Sequence, residues 1–142
     1  MKYHSHFGVY AIIPDATNTK VLLIKKALGC YTGLYDLPGG GMEPHELLEE
    51  ALYREVHEET GCMAGNLSQL ATFSVLYPYK KDGADFVLRH LGTIYKASIT
   101  GTPRETSDGT DDSHGCVWVP VSEISEKNST PFVIDAVKAL KK

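Results

Sequence analysis

The sequence is poor in cysteine, lacks a long apolar run and carries no basic excess, and each shortage removes a class of protein. Cys30, Cys62 and Cys116 are odd in number and widely spaced. That fits neither a disulfide framework nor a zinc cluster, and suits reduced thiols acting as small buried apolar residues. No stretch approaches the roughly 18 apolar residues of a membrane-spanning helix. The opening MKYHSHFGVYAII has a charge but no separate apolar segment followed by a small-residue cleavage site, so the cytoplasm is the expected compartment. A formal charge of -4 leaves no electrostatic footprint for a nucleic-acid polymer. An anionic small molecule would need local help, such as a metal ion.

What is present suits one domain over residues 1–142. With 42% hydrophobic and 23% charged residues, the chain is long enough to bury a core without staples. FGVYAII and VLLIKKA are β-branched and aromatic runs around a turn-prone PDATNTK, which predicts an antiparallel hairpin. LGCYTGLYDLPGGGMEP reads as a loop, and HELLEEALYREVHEET as a helix ending at Gly61. LSQLATFSVLYPY and DFVLRHLGTIYKASI flank an Asp82-Gly83 turn and predict a second hairpin. A final strand from CVWVPVSEI and a capped helix from STPFVIDAVKALKK complete the pattern. The order argues for an α/β fold, a mixed sheet with helices on its faces.

The helix carries an anomaly. With Glu55 at zero on a wheel of about 100° per residue, Leu48, Ala51, Leu52 and Leu47 form an apolar stripe between about -80° and 60°. Glu58 falls near -60° and Glu59 near 40°, so three carboxylates continue the stripe, whereas Glu46, Glu49 and Glu50 project elsewhere. Two carboxylates about 4 Å apart repel by roughly 4 kcal/mol at an effective dielectric of about 20. They also sit at the helix end where the macrodipole disfavours negative charge. A divalent cation reverses the sign of that interaction, and hard oxygen ligands suit magnesium or manganese with a site open to phosphate.

From Gly40 through Glu46, Arg54, Glu55, Val56, Glu58, Glu59 and Gly61 to Cys62, the residues fit G-x5-E-x7-R-E-U-x-E-E-x-G-U, with Cys62 in place of the last aliphatic residue. In this respect the chain strongly resembles the Nudix hydrolase family. The resemblance implies an α/β/α sandwich with a loop-helix-loop metal site. It also implies Mg2+, or Mn2+ as a substitute, held by Glu55, Glu58, Glu59 and the Gly39 or Gly40 backbone. Arg54 and Glu46 would support the site, and Glu58, Glu59 and Arg54 would form the catalytic set. The implied reaction is hydrolysis of the diphosphate in a nucleoside diphosphate linked to another moiety, with a nucleotide sensor that does not hydrolyse its ligand as the alternative. The partner is then a small molecule, not a membrane or a nucleic-acid polymer, and a homodimer is left open.

Outside the signature the expectations are thinner. Glu105, Asp108, Asp111 and Asp112 compete with Glu58 and Glu59 as general base. Arg89, Asp36 and Asp112 are candidate substrate contacts, with His90, Tyr77 and Trp118 beside them; Lys25 and Lys26 at the end of the second strand read as a solvated edge, with a ligand contact by one of them as the alternative. Asp36 stands where many family members carry an aromatic residue. His4 and His6 alternate on one strand face.

Overall fold

The structure is a computed structural model that describes residues 1–106 and 115–142. Along the chain run β1 (Lys2–Ile12), β2 (Lys20–Lys25), β3 (Tyr35–Asp36), β4 (Gly39–Gly41), α1 (Leu48–Thr60), β5 (Met63–Lys81), β6 (Ala84–Thr100), β7 (Val117–Pro120) and α2 (Pro131–Leu140). Among these described elements, one sheet has the order β4-β1-β6-β5 and a smaller one the order β3-β2-β7. The larger sheet is mixed: β1 runs parallel to β6 and antiparallel to β4, and β5 and β6 are antiparallel.

The predicted hairpin between the first two strands closes only next to its turn. Just past β1 the Asp15 N–H donates to the Lys20 carbonyl and the Leu22 N–H to the Ile13 carbonyl around an antiparallel Pro14–Val21 bridge, and β1 and β2 then part into different sheets. The physical reason is burial on both faces. In β1, Val9 and Ala11 face the α1 core while Tyr10 and Ile12 face the α2 core, and β2 splits Leu22 and Ile24 from Val21 and Leu23 in the same way. Such a continuous apolar run reads equally well as a hairpin arm or as a central strand. The second predicted hairpin is present, with Asp82 and Gly83 both at positive φ between β5 and β6. The glycine-rich loop contains the short strands β3 and β4, which carry no hydrophobic periodicity to reveal them.

The two helices pack on opposite faces of the larger sheet, giving an α/β/α sandwich. α1 begins three residues later than its sequence pattern suggests. Glu50 reaches back to accept the Leu47 N–H at 2.8 Å, and at the far end Gly61 closes the helix in a left-handed conformation, its N–H on the His57 carbonyl. α2 is capped as predicted, with the Thr130 hydroxyl accepting from Val133 and proline in the first turn. Phe132 of α2 is fully buried against Tyr10 and Phe73. Truncation of Phe132 to alanine should lower unfolding stability by about 3–5 kcal/mol. Urea denaturation measures that loss.

Candidate active site

Two segments build the site, the glycine strand β4 and the acid-bearing face of α1. β4 pairs with β1 so that Gly39 lies opposite Tyr10 and Gly40 opposite Val9. A side chain at Gly39 would collide with the Val9 carbonyl, and its φ of +141° is one that L side chains rarely adopt. Close approach is therefore what the glycines provide. The Gly39 N–H donates to Glu59 Oε1 at 2.8 Å, and a Cβ on Gly40 would stand 3.0 Å from Glu55 Oε2.

Arg54 ties the acids together. Its Nε and Nη2 donate to the two oxygens of Glu46 at 2.7 and 2.8 Å, Nη1 donates to Glu55 at 2.9 Å and reaches Glu58 at 3.3 Å, and Nη2 also donates to the Gly41 carbonyl at 3.1 Å. The bidentate fork to Glu46 is the geometry that fixes a guanidinium most firmly. It draws the Glu46 carboxyl down to about 2, the Arg54 hydrogen bond being the largest cause. Arg54 is in turn held in its charged form.

The inward stripe is rotated from the sequence expectation. Ala51, Leu52, Val56, Glu59 and Thr60 are the buried residues of α1, whereas the Leu47 residue is 72% exposed and the Glu58 side chain 51%. The stripe is displaced toward Val56, which packs with Ala51 and Leu52 in the core formed with Val9, Ala11, Leu22 and Ile24, a face fixed by tertiary contact and not by the helix's own sequence. Glu59 is buried and Glu55 half-buried, and burial pushes both carboxyls up, Glu59 well above the usual range. For Glu55 the Arg54 guanidinium works against that rise. Among the described residues, no three carboxylate, imidazole or thiol groups converge on one metal position as they stand. The donor chemistry nonetheless fits a hard divalent ion: two desolvated carboxylates side by side, a third at the rim, and backbone glycines against them.

Beside these acids lies a cavity of about 440 Å³, whose lining includes Lys26, Tyr31, Asp36 and His90. Asp36 is buried, and both hydrogen bonds to its carboxyl, from Thr130 and from the Leu37 N–H, end on Oδ1 at 2.9 Å. Burial raises its pKa. His90 is held between the Tyr10 hydroxyl at 2.6 Å and the Tyr31 hydroxyl at 2.9 Å, and stacks on Phe132 at 4.2 Å. Burial brings its pKa down to about 4, so it is neutral, with one ring nitrogen donating and the other accepting.

Other sequence candidates are placed differently. Arg89 points from the opposite sheet face, exposed, and donates to Ser5 at 2.9 Å; strand alternation puts its neighbour His90 in the cavity instead. Trp118 packs against the α1-side core, Tyr77 meets Tyr31 edge-on, and exposed Glu105 bridges to Cys116. Asp108, Asp111 and Asp112 lie outside the described residues. Lys26, read as a solvated edge, lines the cavity, and Tyr31 was not among the sequence candidates because a glycine-rich loop offers no periodicity. All three cysteines are free thiols, two of them buried.

An α/β/α sandwich whose acid-bearing helix abuts a glycine strand defines the class. A model of the NUDIX domain matches residues 2–140, and the chain belongs to that family. It is similar to an ADP-ribose pyrophosphatase of Methanocaldococcus jannaschii, 42% identical over 57 residues that make up 40% of this chain and 34% of that protein. A nucleoside triphosphatase, NudI, of an Enterobacter species is 52% identical over 46 residues, 31% of this chain and 33% of that one. The chain thus matches about a third of the length of each. The crystal structure of a MutT NUDIX hydrolase from Burkholderia pseudomallei shares the fold at TM-score 0.75 and 22% identity, covering 96% of this chain and 98% of that one.

Two stability measurements follow from these pKa directions. Glu46 has a depressed folded pKa, so its contribution is present above its ordinary value of 4.5 and lost as pH falls toward about 2. Glu46→Gln should therefore melt below the parent at pH 7, and the gap should close between pH 4.5 and 2. Glu59 has a raised pKa, so its ionised form opposes folding at neutral pH. In metal-free buffer at pH 7, Glu59→Gln should melt above the parent, and a calorimetric scan reads the sign of the shift.

Proposed function

We propose that the protein is a pyrophosphohydrolase that uses Mg2+, with Mn2+ as a substitute, to cleave the diphosphate of a nucleoside diphosphate linked to another moiety. One observation carries the reading: Glu55 and Glu59 are desolvated side by side against Gly39 and Gly40 at the wall of a cavity, an arrangement that costs stability until a cation enters. Glu55, Glu58 and Glu59 would hold the ion, with the Gly39 backbone beside them. When bound, a divalent ion neutralises phosphate oxygens and lowers the pKa of a coordinated water.

The chain's own residues do the rest. Arg54, fixed by Glu46, aims the Glu55 carboxylate and offsets its charge. Glu58, largely exposed, takes the proton of the attacking water at its carboxylate; Glu59 already accepts the Gly39 N–H on Oε1 and is the weaker candidate. The Lys26 ammonium, on the cavity wall among these acids, meets the phosphate oxygens. The Asp36 carboxyl accepts nothing on Oδ2 from the described residues, leaving that oxygen to a hydrogen-bond donor on the substrate. Three free thiols suit a reducing compartment such as the cytoplasm. The retained acids favour hydrolysis over ligand sensing alone.

Product analysis on ADP-ribose, nucleoside triphosphates, nucleotide sugars and dinucleoside polyphosphates tests the proposal. At least one compound should be cleaved within its diphosphate with magnesium and left intact with chelator. Glu58→Gln combined with Glu59→Gln should lower kcat by at least about a hundredfold, as expected for loss of a general base together with metal ligation. Parent-like turnover in that variant would sink the mechanism.

A further inference from the structure

The cavity beside the acids does not end there. Gly29 and Cys30, on the segment between β2 and β3, and His6 and Leu88, on the sheet beneath, also line a second chamber of about 560 Å³. Register explains the continuity. His6 pairs with His90 and His4 with Leu88, so alternate residues of β1 and β6 pave one sheet face outward from the first chamber.

The two chambers differ in charge. Asp36, Glu55, Glu58 and Glu59 line the first, whereas the residues lining the second include no acid and bring in Lys80, Lys81 and His4. Lys80 is 2.9 Å from Asp85, which lies outside that lining. Lys81 has neither an ion pair nor a side-chain hydrogen bond among the described residues. The His4 ring lies 3.2 Å from the Tyr79 hydroxyl and is edge-on to the Tyr79 ring, so an aromatic wall stands beside the cations.

We propose that this second chamber is an anion subsite, with Lys81 and His4 as its principal groups and Lys80 beside them, for a compact oxyanion at the end of the substrate remote from the scissile diphosphate. The assignment rests on the reading that the acidic end takes the diphosphate. Tyr10, opposite Gly39, and His4 are six residues apart on one strand, a span of about 20 Å. A nucleoside triphosphate, whose phosphates are contiguous, does not reach both ends with negative charge. A nucleoside diphosphate joined to an extended moiety of about that length, ending in a phosphate or carboxylate, does. The subsite therefore selects, within the diphosphate-linked class, substrates charged at both ends.

Binding to metal-free protein tests this without turnover. By calorimetry, ADP joined through a chain of about fourteen atoms to a terminal phosphate should bind the parent at least tenfold more tightly than the same compound ending in a hydroxyl, and Lys81→Ala with Lys80→Ala should reduce that preference to less than threefold at an unchanged melting temperature. Inorganic phosphate alone, titrated into 15N-labelled protein, should move the amide signals of His4, Ser5, Lys80 and Lys81 and leave those of α1 in place. Equal affinity of the parent for the two compounds, an undiminished preference in the variant, or phosphate shifts confined to Gly39–Gly41 and α1 would each overturn the subsite. Loss of hydrolysis with these binding results intact would overturn the catalytic reading alone.

Discussion

Charge placed out of water has to be answered by charge or by hydrogen bonds, and around α1 that constraint organises the molecule. Arg54 answers part of it. Its guanidinium spans the two carboxylate oxygens of Glu46, the Glu55 carboxylate and the Gly41 carbonyl, linking the approach to the helix, the helix and the glycine strand. Glu59 lies beyond its reach and has the Gly39 N–H instead. One hydrogen bond does not balance the burial of a carboxylate, and its pKa rises accordingly. The fold thus holds an unbalanced negative group at the wall of a cavity, which is the physical basis for reading it as a cation site.

The sheet makes this possible by being buried on both faces. β1 gives Val9 and Ala11 to one core and Tyr10 and Ile12 to the other, so the strand bearing the glycine pairing is fixed from both sides. The same alternation carries outward to His6 and His4, beyond the helices, where the sheet meets the segment bearing Gly29 and Cys30. Rigid floor and ligand cleft are continuous. On this account the polarity of the cleft follows from what is brought against that floor, acids from α1 and β3 at one end and Lys80 and Lys81 of β5 at the other.

Legibility in the sequence tracked how local the governing interaction is. α1 and its Gly61 cap, the Asp82-Gly83 hairpin and the Thr130 cap depend on neighbours a few residues away, and all could be read from the sequence. The partner of β1 depends on residues 86–96, and a doubly buried run gives no sign of which strand it will pair with. The acids were legible because fixed spacing put them on one helix, yet the exposure of Glu58 and Leu47 depends on which face of that helix packs on the sheet. Tyr31 and His90 meet across 59 residues through a loop without periodicity. Arg89 was the natural choice by charge; alternation selected His90.

The central claim is that Glu55 and Glu59 are held apart from water to receive a divalent ion. Crystals soaked in Mn2+ and measured at the manganese absorption edge test it most directly. The account predicts an anomalous peak within coordination distance of Glu55 and Glu59, next to Gly39 and reached by a rotated Glu58. No peak there at saturating Mn2+, or ordered manganese only elsewhere on the molecule, would contradict it.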